Sequence, residues 1–116
     1  MKVLVCGSRG WSDRTQIREN LEKLPKDSTI ITGGARGVDT WASWECNELE
    51  LFLEVYLPDW KKHGKAAGPI RNSKMLEQKP DEVWAFWDGK SRGTQDTIRK
   101  ATNLGIPIKI FSENKS

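Results

Sequence analysis

Short apolar runs alternate along the chain with longer stretches in which apolar residues return every three or four positions. Residues 2–6 (Lys-Val-Leu-Val-Cys) form the first run, and Gly7-Ser8-Arg9-Gly10 ends it, the pattern of a buried strand leaving into a turn. Asp13 stands where a helix cap is needed, Ile17, Leu21 and Leu24 follow at helical spacing, and Pro25 stops the segment. Residues 28–32 repeat the plan as a second strand. Gly33-Gly34-Ala35-Arg36-Gly37 then turns into a helix with Val38, Ala42, Cys46 and Leu49 on one stripe. Residues 53–57 read as a third strand, ended by Pro58 and Asp59, and a loop through Trp60, His63 and Gly64 leads to a helix over about 66–78. A fourth strand spans 82–87, and the turn at 88–94 opens a helix carrying Ile98, Ala101 and Leu104. Gly105 stops that helix, residues 106–111 form a fifth strand, and residues 112–116 read as a loose tail.

Strands that alternate with helices imply right-handed crossovers and a parallel sheet. The expected fold is α/β: a single Rossmann-like domain over residues 1–116, with a five-stranded parallel sheet in the order 3-2-1-4-5 flanked by about four helices. In that order the winding reverses between strands one and four, where open α/β sheets bind ligands.

Composition narrows the class. A length of 116 residues suits one domain with one buried core. Apolar residues make up 36% and charged residues 30%, and no run of about 18 apolar residues is present to span a bilayer. About four apolar residues precede Gly7, too few for a signal peptide. Cys6 and Cys46 have no metal-ligand spacing and read as reduced core residues, so a cytoplasmic protein is expected. The net charge of +3, from 19 basic and 16 acidic residues, lacks the excess of a duplex-DNA binder. Placement says more than the total: Arg9, Arg36, Arg71 and Arg92 lie in or beside glycine-containing loops, whereas most lysines occupy polar helix positions or chain ends.

Parallel topology brings the turns after strands one, two and four to one edge of the sheet. They contribute Gly7, Ser8, Arg9 and Trp11, then Gly33, Gly34, Arg36 and Gly37, then Asp88, Gly89, Ser91, Arg92, Gly93 and Thr94. Glycine lets backbone amides approach an anion, and a following helix N-terminus adds partial positive charge, so the edge suits phosphate. No turn carries Gly-x-Gly-x-x-Gly or Gly-x-x-x-x-Gly-Lys-Ser/Thr, which argues against dehydrogenase and P-loop chemistry.

Ser91 and Thr94 suit either phosphate binding or helix capping, and Arg92 suits bidentate pairing with phosphate. Asp39 is either a favourable charge at a helix N-terminus or a ribose or base contact. Gly68-Pro69 is expected to break regular structure and let Arg71 and Asn72 reach back over the site. Of the six tryptophans, Trp41, Trp84 and Trp87 read as core or dimer contacts, whereas Trp11 and Trp60 follow strand ends and suit either base stacking or loop packing. His63 has no second histidine or paired cysteine to form a metal site and reads as a surface-loop residue.

Taken together, Gly7-Ser-Arg-Gly-Trp11, Thr32-Gly-Gly-Ala-Arg-Gly-Val-Asp39, Gly68-Pro-Ile-Arg-Asn72 and Ala85-Phe-Trp-Asp-Gly-Lys-Ser-Arg-Gly-Thr94 resemble the SLOG superfamily over nearly the whole chain. The resemblance is to a small branch common in phages and bacteria, related to the DprA/Smf DNA-processing proteins and the LOG phosphoribohydrolases. It implies a Rossmann-like fold that binds nucleotides or nucleotide-derived signals, some of them products of antiviral signalling enzymes. In relatives the step matching Arg71-Asn72 is part of the pocket. LOG hydrolases carry Pro-Gly-Gly-x-Gly-Thr-x-x-Glu. Here Gly93-Thr94 continues Gln95-Asp96-Thr97, so Thr97 stands where the catalytic glutamate would be and Asp96 is one residue off register.

The expected function is capture of a nucleotide or nucleotide-derived molecule, a cyclic nucleotide or ADP-ribose-like signal among them, by a sensor or sequestering module. That module would work without cofactor, metal or membrane and as a homo-oligomer. Two alternatives stand beside it. One is a LOG-like nucleoside 5'-monophosphate phosphoribohydrolase, with an arginine on the phosphate and Asp96 or Asp88 stabilising an oxocarbenium-like transition state. The other is single-stranded DNA binding as in DprA, with arginines on the backbone and an exposed tryptophan stacking on bases, against which the modest charge weighs.

Overall fold

The computed structural model describes residues 1–113; residues 114–116 of the expected tail lie outside the described residues. Strands β1 (Lys2–Gly7), β2 (Thr29–Thr32), β3 (Phe52–Val55), β4 (Glu82–Phe86) and β5 (Ile108–Phe111) form one parallel sheet in the order β3-β2-β1-β4-β5. The four long helices are α1 (Arg14–Leu21), α2 (Val38–Glu48), α4 (Ala67–Glu77) and α5 (Arg92–Asn103). A one-turn helix, α3 (Trp60–His63), runs through a 3₁₀ turn into α4. The chain therefore has the Rossmann-like α/β fold and strand order that its apolar pattern predicts.

Strand side chains alternate between two faces, and each face has its own core. Val3, Val5, Ile30, Trp84 and Phe86 pack with Ile17 and Leu21 of α1 and with Val38, Ala42 and Cys46 of α2. Leu4, Cys6, Ile31, Val83 and Ala85 pack on the other side with Met75 and Leu76 of α4 and Ala101 of α5. Cys6 and Cys46 thus lie on opposite faces of the sheet, both buried and free. Burial pushes the Cys46 thiol up to about 11, and burial, followed by the Asp39 carboxylate, pushes Cys6 further in the same direction, so both remain protonated thiols at neutral pH. At the carboxyl end of the first core, Phe86 stacks on Phe111 at 4.4 Å and Trp11 meets Phe86 edge-on at 5.6 Å.

Two expectations need correction. Gly68 and Pro69 do not interrupt α4; they sit in its first turn, where proline's missing N–H costs no intrahelical bond. Trp60 and His63 lie in α3 rather than an irregular loop, because Asp59 Oδ1 accepts from the Lys62 amide and caps that turn. Among the described residues no helix is long and apolar enough to cross a membrane.

Away from the carboxyl edge, α1 and α2 are clamped by charge. Glu45 is only 1% exposed, and its two oxygens accept from Arg14 Nε at 2.5 Å and Arg18 Nη1 at 3.1 Å. Just before α1, Glu113 Oε1 accepts from the Ser12 and Asp13 amides at 2.7 and 3.1 Å and from the Ser12 hydroxyl, tying the chain beyond β5 to the start of that helix. Glu45→Gln halves the acceptor capacity at a buried point shared by two guanidinium groups. It is expected to cost about 2 kcal/mol, read as a lower urea midpoint at unchanged slope.

Candidate functional site

Three loops meet at the carboxyl edge around Ser8. Its amide donates to the Phe86 carbonyl at 3.0 Å, its carbonyl accepts from the Trp11 and Val38 amides at 3.3 Å, and its hydroxyl oxygen accepts from the Asp88 amide at 2.8 Å. One buried residue therefore joins the β1–α1 loop to the first residue of α2 and to the β4–α5 loop. Two glycines make the approach feasible. A Cβ on Gly7 would strike the Phe86 carbonyl and Val38, and a Cβ on Gly37, whose φ is +74°, would strike the Ser8 and Arg9 carbonyls.

From α4, Arg71 reaches across the ends of β2 and β3. Its Nη1 donates to the Gly33 carbonyl and, at 3.5 Å, to the Tyr56 carbonyl, while Nε donates to Asn72 Oδ1 at 2.9 Å. A side chain at position 33 would occupy the space of this guanidinium. Asn72 in turn donates to Asp96 Oδ2 at 3.1 Å and to the Gly93 carbonyl at 3.4 Å, so α4 holds α5 in place through the residue next to Arg71. Lys100 and Arg99 complete the shell around Asp96 at 3.0 and 2.9 Å. Burial pulls the Asp96 carboxyl up, but the Asn72 amide and the two cations outweigh it and hold the group below its ordinary value.

The N-terminus of α5 points at the same place. Ser91 is the cap residue, yet its side chain accepts no backbone amide; its hydroxyl lies 3.1 Å from that of Thr94. Asp88 Oδ1 accepts from the Lys90 and Ser91 amides at 2.8 and 2.9 Å, which fixes the turn and holds the Asp88 carboxyl below its ordinary value. The first turn of α5 thus presents partial positive charge and two hydroxyls, with Arg92 beside them.

A cavity of about 490 Å³ lies between these elements, with Asp39, Arg71 and Asn72 facing the α5 turn across it. Gly7, Arg9, Asp88, Ser91, Arg92, Gly93 and Thr94 also line it. Gly33, Gly34 and Arg36 line an adjoining cavity of about 590 Å³ that shares Arg9, Ala35 and Arg71 with the first. Four residues singled out from the sequence as ligand contacts line neither, and nor does the candidate carboxylate Asp96. Ser8 is buried beneath the loops and Gly37 is wedged against them, while Gly89 lies on the far side of its turn. Trp11 is 3% exposed against Phe86, and its Nε1 donates to the Asp13 carbonyl, so it packs the loop from below. Cys6, Met75, Lys90 and Thr97 line the first cavity without having been singled out as ligand contacts. Met75 follows Arg71 by four positions and Thr97 follows Thr94 by three, spacings that place each pair on one helix face.

Asp39 is the most constrained polar group here. Oδ2 accepts from the Ala35 amide at 3.1 Å, while Oδ1 is buried without a hydrogen bond among the described residues. Burial raises its pKa from 3.8, opposed chiefly by the Ala35 amide and the Arg71 guanidinium.

Residues 1–63 match the family model described as YAcAr, the YspA, cpYpsA-related SLOG family. The Gene 61 protein of Mycobacterium phage D29 is 36% identical over 122 aligned positions, covering 97% of each chain. The chain belongs to this SLOG family. Among solved structures, DNA processing protein A of Streptococcus pneumoniae matches the SLOG chain with a TM-score of 0.78 at 19% identity, a likeness of fold. That match covers 99% of this chain and 50% of the other, so the SLOG chain spans about half of that DprA.

Two substitutions test the site's construction. Ser8→Ala removes the acceptor for the Asp88 amide and is expected to cost about 1 kcal/mol, seen as a lower melting temperature. For Asp39 the sign follows from its raised pKa. The folded state holds the proton more tightly than the unfolded chain, so the carboxyl's contribution to stability declines as pH rises from 3.8 through the folded value. Asp39→Asn is therefore expected to be at least as stable as the parent at neutral pH, with the gap closing in mild acid; urea titrations at both pH values measure it.

Proposed function

We propose that this SLOG protein captures a phosphate-bearing nucleotide or nucleotide-derived small molecule at the carboxyl edge of its sheet, as a sensor or sequestering module. The observation that carries this reading is how its seven arginines divide. Arg14, Arg18 and Arg99 each form an ion pair with Glu45, Glu22 or Asp96. Arg9, Arg36, Arg71 and Arg92 line the two cavities and form no ion pair among the described residues. Arg9 and Arg71 repel one another, Asp39 opposes that repulsion on one side of Arg71, and an anion between the guanidinium groups adds a further counter-charge. The uncapped first turn of α5 adds backbone donors for the same anion. A volume of about 490 Å³ falls in the usual range for small-molecule sites.

Binding is favoured over hydrolysis by the state of the carboxylates. Asp96 is engaged by Asn72, Arg99 and Lys100 and does not line the cavity, and Asp88 uses Oδ1 to hold its own turn. Asp39 is buried and its pKa is raised, which weakens it as a charge stabiliser for a cationic transition state.

Calorimetry with adenosine monophosphate and with adenosine tests the proposal, since binding is expected to require the phosphate. Arg92→Ala should weaken the nucleotide by at least about tenfold. Arg99→Ala, on the same helix but paired with Asp96, should leave affinity within about twofold. Absence of heat and of any thermal shift across a nucleotide panel would overturn the reading.

A further inference from the structure

The second cavity differs in character from the first. Gly34 and Arg36 come from the β2–α2 loop, and Leu57, Pro58 and Trp60 come from the loop after β3 and the start of α3. Trp60 is 54% exposed and lines the groove, with Cη2 at its far edge lying near Gly68. Arg36 stands in the same groove without an ion pair among the described residues. Between the two cavities stand Arg9 and Arg71, which line both. Arg71 is fixed through Nη1 and Nε, leaving Nη2 without a bond among the described residues. The groove is thus a pair of chambers, each of small-molecule size, joined at a cationic waist, with an aromatic surface in only the outer one.

We propose that the outer chamber is a second subsite that stacks an aromatic base on Trp60, so that the preferred ligand is a dinucleotide-like molecule whose phosphate bridge runs from the α5 turn to Arg9 and Arg71. This rests on the nucleotide reading of the inner chamber and extends it. A mononucleotide fills one chamber and leaves the other to water. A ligand with a base and ribose on each side of a diphosphate places its charge along the waist and the α5 turn, and a ring in each chamber. Stacking on an exposed indole does not depend on the base's hydrogen-bond pattern, so Trp60 selects for a second ring system rather than for its identity. Arg36 adds positive charge beside that ring and its ribose.

The test compares adenosine monophosphate with diadenosine diphosphate by calorimetry on the parent protein, Trp60→Ala and Trp60→Phe. The parent is expected to bind the dinucleotide about tenfold more tightly than the mononucleotide. Trp60→Ala should erase that preference while leaving the mononucleotide within about twofold, and Trp60→Phe should keep most of it because a ring face remains. An unchanged melting temperature for Trp60→Ala without ligand separates loss of stacking from loss of fold. The subsite is overturned if the parent shows no preference, or if Trp60→Ala weakens both ligands alike. It is also overturned if a single-stranded oligonucleotide binds more tightly than either with a steep salt dependence, which would make the groove a strand track. If neither nucleotide binds the parent, the nucleotide reading itself falls, an outcome distinct from binding without preference.

Discussion

How closely the β1–α1 loop can approach its neighbours decides whether this protein has a site at all. Ser8 spends its amide, carbonyl and hydroxyl on three different segments: the end of β4, the first turn of α2 and the start of the β4–α5 loop. Gly7 and Gly37 are the points where backbone meets backbone, and any side chain there would push the loops apart. The α2 and α5 turns that face the cavity inherit their positions from this junction. The α5 turn is aimed by Asp88, whose amide is held by Ser8, and Asp39 enters through a helix whose first amide donates to the Ser8 carbonyl.

Electrostatics then divides the molecule into two regions. Acid and base neutralise each other over α1, α2 and the outer face of α5, where Glu45, Glu22 and Asp96 meet their arginines. At the carboxyl edge the Arg71 guanidinium donates to two backbone carbonyls and an amide side chain, and Arg9, Arg36, Arg71 and Arg92 form no ion pair among the described residues. The one deeply buried acid there, Asp39, is pulled toward its neutral form. A net charge of +3 conceals this arrangement, because the whole-chain balance averages a paired region with an unpaired one.

The architecture was legible because its cause is local: runs such as Val3-Leu4-Val5 and Val83-Trp84-Ala85-Phe86 are apolar on both faces, as strands covered on both sides must be. The loops and arginines were legible for a similar reason, since glycine spacing is printed in the chain. What stayed hidden depends on distant partners. Trp11 and Trp60 occupy similar places after their strands, yet one is held beneath its loop by Phe86 and the other has no aromatic partner among the described residues, a distinction no local pattern carries. Asp96 and Asp88 look alike as candidate carboxylates until Asn72, Lys100 and Arg99 arrive around the first. Pro69 was misleading because a proline that breaks a helix interior is compatible with its first turn, and the sequence does not show where that turn begins.

The central pairing of the sheet also has a kinetic meaning. β1 lies between β2, which follows it after one short crossover, and β4, whose Glu82 pairs with Val3 across most of the chain. The first half of the molecule closes early in sequence terms, whereas the cavity is bounded on its far side by a turn that exists only after this long-range closure. Residues 1–63 hold the family match and the lower jaw of the groove; the upper jaw belongs to the later half. On the proposed nucleotide reading, a ligand clasped between them would act as a staple across the long-range seam of the fold, and its occupancy would report that both halves have joined.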